Sequence, residues 1–187
     1  MPRRARMKSP TNVYHVMLRG INKQLIFWDE EDYQQFKRVL VRYKEICGYE
    51  LYAYCLMDNH VHLLLRAGDE PLDKVFKRIG SSFVYWYNAK YERTGHLFQD
   101  RFRSEIINSN PVFFKTLKYI LYNPVKAGIC QSPQEYPHSS GREYIRSEQG
   151  ITDKDFVYLF MDPDALKKYI LKEEENEDEC MEYRNTF

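Results

Sequence analysis

Apolar residues recur along this chain at two spacings, every second residue in some segments and every third or fourth in others. Alternation predicts four β-strands, at residues 12–19, 49–57, 60–66 and 104–107. Helical spacing predicts long helices at residues 29–46, 72–91 and 111–123, and two weaker ones near residues 153–160 and 163–172. Asp58-Asn59 suits a tight hairpin turn, Pro111 suits the first turn of a helix, and Pro124 should end that helix.

The order of these elements, β-α-β-β-α-β followed by a further helix, predicts the fold class. It indicates an α+β domain with a ferredoxin-like (RRM-like) antiparallel sheet, helices packed on one face, and a C-terminal helical extension. No internal repeat and no long Gly/Ser linker divides the chain. We therefore expect a basic N-terminal arm at residues 1–11, one domain at 12–145, the helical extension at 146–172, and an acidic, disordered tail at 173–187.

The net charge of +1 conceals an uneven distribution of charge along the chain. Residues 1–172 carry 27 Lys and Arg against 20 Asp and Glu, a net charge of +7, whereas residues 173–187 carry seven acids and one base. A basic body favours a polyanionic partner such as nucleic acid, although charged termini are also common without one. The chain also holds 16 tyrosines, an excess that fits either base stacking or a tyrosine-rich core.

Some classes of protein are excluded or disfavoured by the sequence. No apolar run approaches the roughly 20 residues that a membrane-spanning helix needs, and no apolar stretch follows the basic residues 1–8 as in a secretory signal. The four cysteines form no Cys-x-x-Cys pair, which disfavours a zinc ribbon or a thioredoxin-like site. We expect a cytoplasmic protein with reduced thiols and no membrane partner.

His60 and His62 lie in an apolar segment, HVHLLL, that is predicted to be a strand. Because side chains alternate along a strand, both imidazoles should project from one face, with Val61 on the other. Two imidazoles about 6–7 Å apart along a strand can share one divalent cation. Alternatively, the pair is structural, with its ring nitrogens hydrogen-bonded to neighbours. His15, on a neighbouring predicted strand, is a further candidate for the same site.

Tyr119 occupies an unusual position on the predicted helix at residues 111–123. On a projection at about 100° per residue, Lys115, Thr116 and Asn123 fall within about 60° of it. The apolar side chains, which should face the core, occupy the opposite arc: Phe113, Phe114, Leu117, Ile120 and Leu121. This position suits a reactive phenol with Lys115 as a supporting cation, and it equally suits an exposed structural tyrosine. Tyr122, displaced by about 60°, is a competing nucleophile.

Basic and aromatic residues are interleaved between residues 74 and 103. Such a pattern suits a surface that binds phosphates through Lys and Arg and stacks bases on aromatic rings. It is also typical of a solvated helix face, which is the more common case. The candidate DNA-binding residues are Lys74, Lys77, Arg78, Arg93, Arg101 and Arg103.

Four segments of the sequence resemble one known family, the HUH-type single-tyrosine transposases, and within it the REP-associated tyrosine transposases. The segments are YHVMLRG near the start, LMDNHVHLLL with the HUH pair at His60 and His62, RTGHLFQDRF, and LKYILYNPVKAG. The resemblance extends over about residues 12–144. No Walker loop, Rossmann glycine pattern or HExxH motif competes with it.

The resemblance implies a ferredoxin-like domain that cuts and rejoins single-stranded or hairpin DNA. It places the nucleophile on Tyr119 and the metal ligands on His60, His62 and Asn123, the last at a position where relatives commonly have Gln. In similar enzymes a divalent cation, Mg²⁺ or Mn²⁺, assists attack of the tyrosine on a phosphodiester, giving a 5′-phosphotyrosine and a free 3′-hydroxyl. Lys115 and His15 would support that reaction. The family includes monomers and homodimers, so the oligomeric state stays open.

Two other functions are compatible with the same residues. One is a nucleic-acid-binding module of this fold that has lost cleavage, and the other is a metal-dependent phosphoesterase that uses water instead of a tyrosine. An RNA-recognition sheet would carry stacking aromatic residues on its central strands, whereas this sequence carries His60 and His62 there. A covalent protein–DNA adduct is expected only from the transposase.

Overall fold

The computed structural model describes residues 9–172 of the chain; the predicted acidic tail and residues 1–8 of the predicted basic arm lie outside them. The elements are β1 (Val13–Arg19), α1 (Glu30–Cys47), β2 (Glu50–Met57), β3 (His60–Arg66), α2 (Leu72–Lys90), β4 (Arg103–Ile107), α3 (Asn110–Lys126), α4 (Gly141–Ile145), α5 (Lys154–Tyr158) and α6 (Pro163–Leu171). A short 3₁₀ helix, Ile21–Lys23, follows β1. None of the helices formed by residues 9–172 has the length and apolar character needed to span a membrane.

The four strands form one antiparallel sheet in the order β2-β3-β1-β4. β1 and β3 are therefore the central strands, and β2 and β3 form the hairpin that the sequence predicts around Asp58-Asn59. Together with the β-α-β-β-α-β order, this topology confirms the ferredoxin-like α+β class.

Helices cover both faces of the sheet. α1 and α2 pack over one face, against side chains such as Val16 and Leu63. α3 packs over the other face, against Val13 and Leu64, together with residues of α4, α5 and α6. The expected packing of helices on one face therefore describes α1 and α2, whereas α3 and the C-terminal helices build a second layer. The central strands carry apolar residues on both sides, as strands covered on both faces do.

Many of the tyrosines belong to these two cores. Eight are buried within the described residues: Tyr14, Tyr33, Tyr49, Tyr52, Tyr54, Tyr87, Tyr136 and Tyr144. Buried hydroxyl groups need acceptors, and Tyr136 donates a hydrogen bond to the carbonyl oxygen of Leu56 at 2.8 Å. For these residues the excess of tyrosine reflects core packing and not a surface for stacking bases.

α3 continues past the residue at which the sequence predicts its end. Pro124 lies inside the helix, which extends to Lys126, so the prediction that Pro124 stops the helix is wrong. Proline has a helical φ, but inside a helix it lacks the N–H donor and its ring crowds the carbonyl group four residues earlier. The bonding resumes directly afterwards, because Ala127 N donates to the carbonyl oxygen of Asn123 at 3.0 Å. The extra residues keep Lys126 on the same helix as the predicted nucleophile.

The end of the sheet that carries His60 is braced by two loops. The backbone N–H of Gly20 donates to Asn59 O in the β2–β3 turn, and that of Ile21 donates to Leu97 O, both at 2.9 Å. Leu97 belongs to the RTGHLFQDRF segment, which therefore lies beside the end of β1. A side chain at position 20 is excluded, because a Cβ there would lie 2.2 Å from the carbonyl oxygen of Gln24.

Asp32 is fully buried and joins the start of α1 to the end of α2. Its carboxylate accepts hydrogen bonds from Lys90 Nζ at 2.9 Å, from the Tyr91 hydroxyl at 2.8 Å and from the backbone N–H of Trp28 at 2.7 Å. Such a carboxylate is strongly stabilising while its partners are present. Without it the Trp28 N–H and the Tyr91 hydroxyl would lose their acceptor, whereas Lys90 would keep Asp29, at 2.7 Å.

Replacing Asp32 tests this network. We expect Asp32→Ala to lower the free energy of unfolding by about 3 kcal/mol, because two donors lose their acceptor at a buried site and Lys90 loses one of its carboxylate partners. Glu31→Ala is the matched control: Glu31 also contacts Lys90, at 3.0 Å, but is exposed, and its loss should change stability by less than about 1 kcal/mol. Urea denaturation measures the free energy of unfolding of both variants. An equal loss of stability in the two would contradict the role assigned to Asp32.

Candidate active site

Three histidines lie on the face of the sheet that α3 covers. His15 is on β1, and His60 and His62 are on β3. In the antiparallel register Met17 is opposite His62 and Arg19 is opposite His60, so all five side chains share one face. The ring centroids of His60 and His62 lie 5.0 Å apart, and those of His15 and His62 lie 5.2 Å apart. The alternation predicted for β3 is therefore observed, and it brings His15 into the cluster.

The histidines are shielded from water to different degrees. His15 is fully buried and His62 is 6% exposed, whereas His60 is half-buried. Burial lowers the pKa of His60 to about 4, with a further contribution from the positive charge of Arg19. Burial also holds the pKa of His62 well below its usual value. Both imidazoles are therefore neutral at neutral pH, which is the form that binds metals.

Each ring of the HVH pair has a hydrogen-bond partner at Nδ1. His62 Nδ1 lies 2.9 Å from His15 Nε2, and His60 Nδ1 lies 2.7 Å from Asn59 Oδ1. On the far side of His15, its Nδ1 lies 3.6 Å from a carboxylate oxygen of Glu105 on β4. In both rings Nδ1 is therefore engaged in a hydrogen bond, which leaves the other ring nitrogen, Nε2, as the candidate ligand atom.

α3 carries Tyr119 over this cluster. The Tyr119 ring centroid lies 5.8 Å from that of His62 and 6.0 Å from that of His15, both in edge-to-face geometry. The arc of α3 that the projection assigns as polar therefore faces the histidines, and Thr116 in that arc is buried with 1% exposure. The ammonium of Lys126 lies 5.3 Å from the Tyr119 ring centroid, within range of a cation–π interaction.

Tyr122 packs against a different set of side chains. The ammonium of Lys118 lies 5.7 Å from the Tyr122 ring centroid and 5.4 Å from that of Tyr169 on α6. Lys118 also donates a hydrogen bond to the carbonyl oxygen of Lys172 at 2.7 Å. Tyr122 therefore lies where α3 meets α6, and the geometry favours Tyr119 as the phenol of the histidine cluster.

The residues present fit a divalent cation by their donor chemistry. Among residues 9–172, no three His, Cys, Asp or Glu side chains form a group that could hold a metal, so two imidazoles would need an oxygen of another kind. Asn123 lies one turn after Tyr119 and donates through Nδ2 to the Tyr119 carbonyl oxygen at 2.9 Å, which leaves its amide oxygen at the opposite end. Two neutral imidazoles and an amide oxygen are suitable ligands for such an ion.

Three of the predicted DNA-binding residues lie away from this cluster. Lys74, Lys77 and Arg78 project from α2, which packs on the opposite face of the sheet from Tyr119. Arg78 also forms an ion pair with Glu70 at 3.0 Å. These three residues form a separate basic surface, and the structure does not bring them together with the histidines.

The other predicted basic residues follow α2 along the chain, as far as the first residue of β4. Arg103 begins β4 opposite Met17, so it shares the histidine face with Arg19. Arg101 is exposed in the segment before β4. Arg93 follows α2 and donates to the side chain of Gln24 at 3.3 Å. Of the predicted set, Arg103 is the residue that the strand register places beside the histidine cluster.

Sequence reasoning did not single out four residues of this site. Glu105 and Arg19 lie on the histidine face through the register of β1, which strand alternation alone does not reveal. Asn59 was assigned only a turn role. Lys126 is seven residues after Tyr119, two helical turns on, and this spacing indicates a shared face once the helix is allowed to pass Pro124.

Comparison with known proteins identifies the class to which this fold and site belong. Residues 9–123, more than half of the chain, match the family model of IS200-like transposases. The chain belongs to the IS200-like transposase family, and the predicted family is confirmed.

The chain is also similar to proteins that are named REP-associated tyrosine transposases. A putative REP-associated tyrosine transposase of Haemophilus influenzae is 28% identical over 121 residues, covering 57% of this chain and 68% of that protein. The REP-associated tyrosine transposase of Escherichia coli is 25% identical over 140 residues, covering 74% and 80%. A solved structure of a REP-associated tyrosine transposase bound to a REP hairpin has a TM-score of 0.68 at 18% identity, covering 82% of this chain and 94% of that one. That last likeness shows the shared fold.

Proposed function

We propose that this protein cuts and rejoins single-stranded or hairpin DNA with Tyr119 as the nucleophile. The observation that carries the proposal is the position of the Tyr119 ring, 5.8 Å from His62 and 6.0 Å from His15. A phenol beside neutral imidazoles and basic side chains is a suitable site for exchanging one phosphodiester for another. Membership of the transposase family supports the same reaction, as does the REP hairpin bound by the relative of like fold.

In the proposed reaction the phenolic oxygen of Tyr119 attacks phosphorus in the DNA backbone. A bond from phosphorus to Tyr119 forms while the bond to the 3′ oxygen breaks, which gives a 5′-phosphotyrosine and a 3′-hydroxyl. The phenol loses its proton and the leaving 3′ oxygen gains one, so the step balances without water. Attack by a 3′-hydroxyl on the phosphotyrosine then reseals the strand and requires no nucleotide hydrolysis.

The other residues of the site position and stabilise the reacting groups. His60, His62 and Asn123 would hold Mg²⁺ or Mn²⁺, which when bound offsets negative charge that develops on a phosphate oxygen. Lys126 contacts the Tyr119 ring and joins Lys115 as a candidate for stabilising the phenolate. α3 holds the phenol in place, because the side chains on its opposite arc are buried in the second core: Leu117, Ile120 and Leu121.

The basic side chains on the histidine face would bind the DNA backbone near the cut. Arg19 and Arg103 are diagonal neighbours on this face, because Arg103 is opposite Met17 and Arg19 is two residues further along β1. Lys74 and Lys77 lie on the opposite face, where they could reach only a part of the DNA remote from Tyr119. We therefore assign the larger contribution to the arginines.

The nucleophile is tested by a pair of conservative substitutions. Tyr119→Phe keeps the ring and removes the hydroxyl, so the protein should fold and bind DNA but form no covalent adduct with a hairpin or single strand that the unchanged protein cleaves. Tyr122→Phe is the matched control on the same helix and should still form the adduct. The adduct is detected as a slower-migrating, nuclease-sensitive band on a denaturing gel. An adduct from Tyr119→Phe would overturn the assignment. Cleavage without any adduct would favour a phosphoesterase, and binding without cleavage a non-catalytic module.

The metal ligands are tested without DNA. His60→Ala or His62→Ala should lower the affinity for Mn²⁺ by about 100-fold or more, because each removes one of two imidazole ligands. Asn123→Ala should lower it by a smaller factor. His96→Ala is the control, because His96 is exposed in a loop. Calorimetry measures the affinities, and unchanged binding in the double histidine variant would contradict the ligand assignment.

The DNA-binding face is tested with two double variants, each of which removes two positive charges from one face of the sheet. The Arg19→Ala, Arg103→Ala double variant should bind single-stranded or hairpin DNA more weakly than the Lys74→Ala, Lys77→Ala double variant, although both lose the same charge. If two phosphate contacts are lost, the slope of log affinity against log salt should become shallower by about 1 to 2 units. Fluorescence anisotropy over a range of salt concentrations measures this, and a larger effect of the lysine pair would place the DNA on α2.

A further inference from the structure

Glu105, His15 and His62 form a continuous chain of polar contacts across β4, β1 and β3. His15 Nδ1 lies 3.6 Å from a Glu105 carboxylate oxygen, and His15 Nε2 lies 2.9 Å from His62 Nδ1. The sheet itself fixes this chain. Glu105 is directly opposite His15, and His62 is opposite Met17, the next residue of β1 on the same face.

The chemistry of the three groups favours one arrangement of protons. The negative charge of an ionised carboxylate attracts an N–H group and repels a nitrogen lone pair, so Glu105, at 3.6 Å, favours a proton on His15 Nδ1. A neutral imidazole protonated at Nδ1 has its lone pair on Nε2, so His15 Nε2 accepts the hydrogen bond from His62 Nδ1. His62 then carries its proton on Nδ1 and its lone pair on Nε2. His15 is fully buried, so solvent does not compete for its ring nitrogens.

A different acceptor favours the same tautomer in His60. Asn59 Oδ1 lies 2.7 Å from His60 Nδ1, and Asn59 Nδ2 donates to the carbonyl oxygen of Lys23 at 3.4 Å, which sets the orientation of the amide. The amide oxygen is an acceptor, so His60 also carries its proton on Nδ1. Two separate sets of neighbours therefore favour the same tautomer, with the proton on Nδ1, in both imidazoles.

We infer that Glu105 and His15 are positioning residues that fix His62 in the tautomer whose Nε2 lone pair is available to a metal. The inference rests on the proposed function for the use of that lone pair, whereas the tautomer is a property of the metal-free protein. Metal-binding histidines usually donate their second ring N–H to a carboxylate or a carbonyl group. Here an imidazole is interposed, and it transmits the preference of the Glu105 carboxylate to His62.

The tautomers can be read directly by NMR of the full-length, metal-free protein with ¹⁵N-labelled histidine. In the unchanged protein, His60 and His62 should both be protonated at Nδ1. In Glu105→Ala, His62 should become a mixture of tautomers, while His60, held by Asn59, should not change. His60 is therefore an internal control in the same spectrum, and a merely structural role of Glu105 would not separate the two histidines.

Two further variants sharpen the test. His15→Phe keeps an aromatic ring on β1 but removes the acceptor, so it should also change His62 and leave His60 unaffected. Glu50→Ala is the matched control for Glu105→Ala: Glu50 is a carboxylate of similar exposure on β2 that bonds to Arg66, and its loss should leave both tautomers unchanged. Should His15→Phe fail to fold, Glu105→Ala decides the question, because it alters a half-exposed side chain.

Metal affinity provides the second readout. Glu105→Ala and His15→Phe should weaken Mn²⁺ binding by about 10- to 100-fold, the range found when partners of metal-binding histidines are removed, and Glu50→Ala should not. A proton on Nε2 of His62 in the unchanged protein, or a His62 tautomer that neither variant alters, would overturn the inference even if Tyr119 forms its adduct with DNA. Failure of the unchanged protein to form an adduct would count against the proposed function alone, since the NMR result is obtained without metal or DNA.

Discussion

The register of β1 between β3 and β4 is the constraint on which the site depends. β1 is hydrogen-bonded on both sides, so each of its side chains has a fixed neighbour on two strands. A shift of one residue would turn His15 to the opposite face and place an apolar side chain beside His62. The burial of Val16 and Leu18 under α1 and α2 prevents such a shift. The core on one face therefore maintains the polar chain on the other.

The position of α3 is the second requirement, because the phenol beside the histidines, Tyr119, comes from this helix and not from the sheet. Leu117, Ile120 and Leu121 are fully buried, and each such side chain contributes about 1.5–3 kcal/mol to packing. This burial fixes the rotation of the helix about its axis and thereby the position of Tyr119. A functional side chain on a packed helix is held more closely than one on a loop. The same burial explains why α3 tolerates Pro124, since packing compensates for the missing hydrogen bond and for the crowding by the ring.

The charges around the site are suited to an anionic ligand. His60 and His62 are neutral because burial disfavours the charged form, so the imidazoles do not repel a cation. Positive charge comes instead from Arg19 beside His60 and from Lys126 over the Tyr119 ring. For the proposed function this separation matters, because a metal would contact neutral nitrogens while a phosphate would contact guanidinium and ammonium groups.

The sequence by itself determined the four strands, the three long helices, their order and the principal candidates of the site. Periods of two and 3.6 residues are local properties, and they suffice to place His60 and His62 on one face of a strand and Tyr119 opposite the apolar arc of a helix. Only the tertiary structure decided that α3 lies across the sheet from α1 and α2, that Glu105 and His15 lie behind His62, and that the basic face of α2 is remote from Tyr119. Alternation shows which residues share a face, but contacts between distant segments decide which face a helix covers and which strands become neighbours.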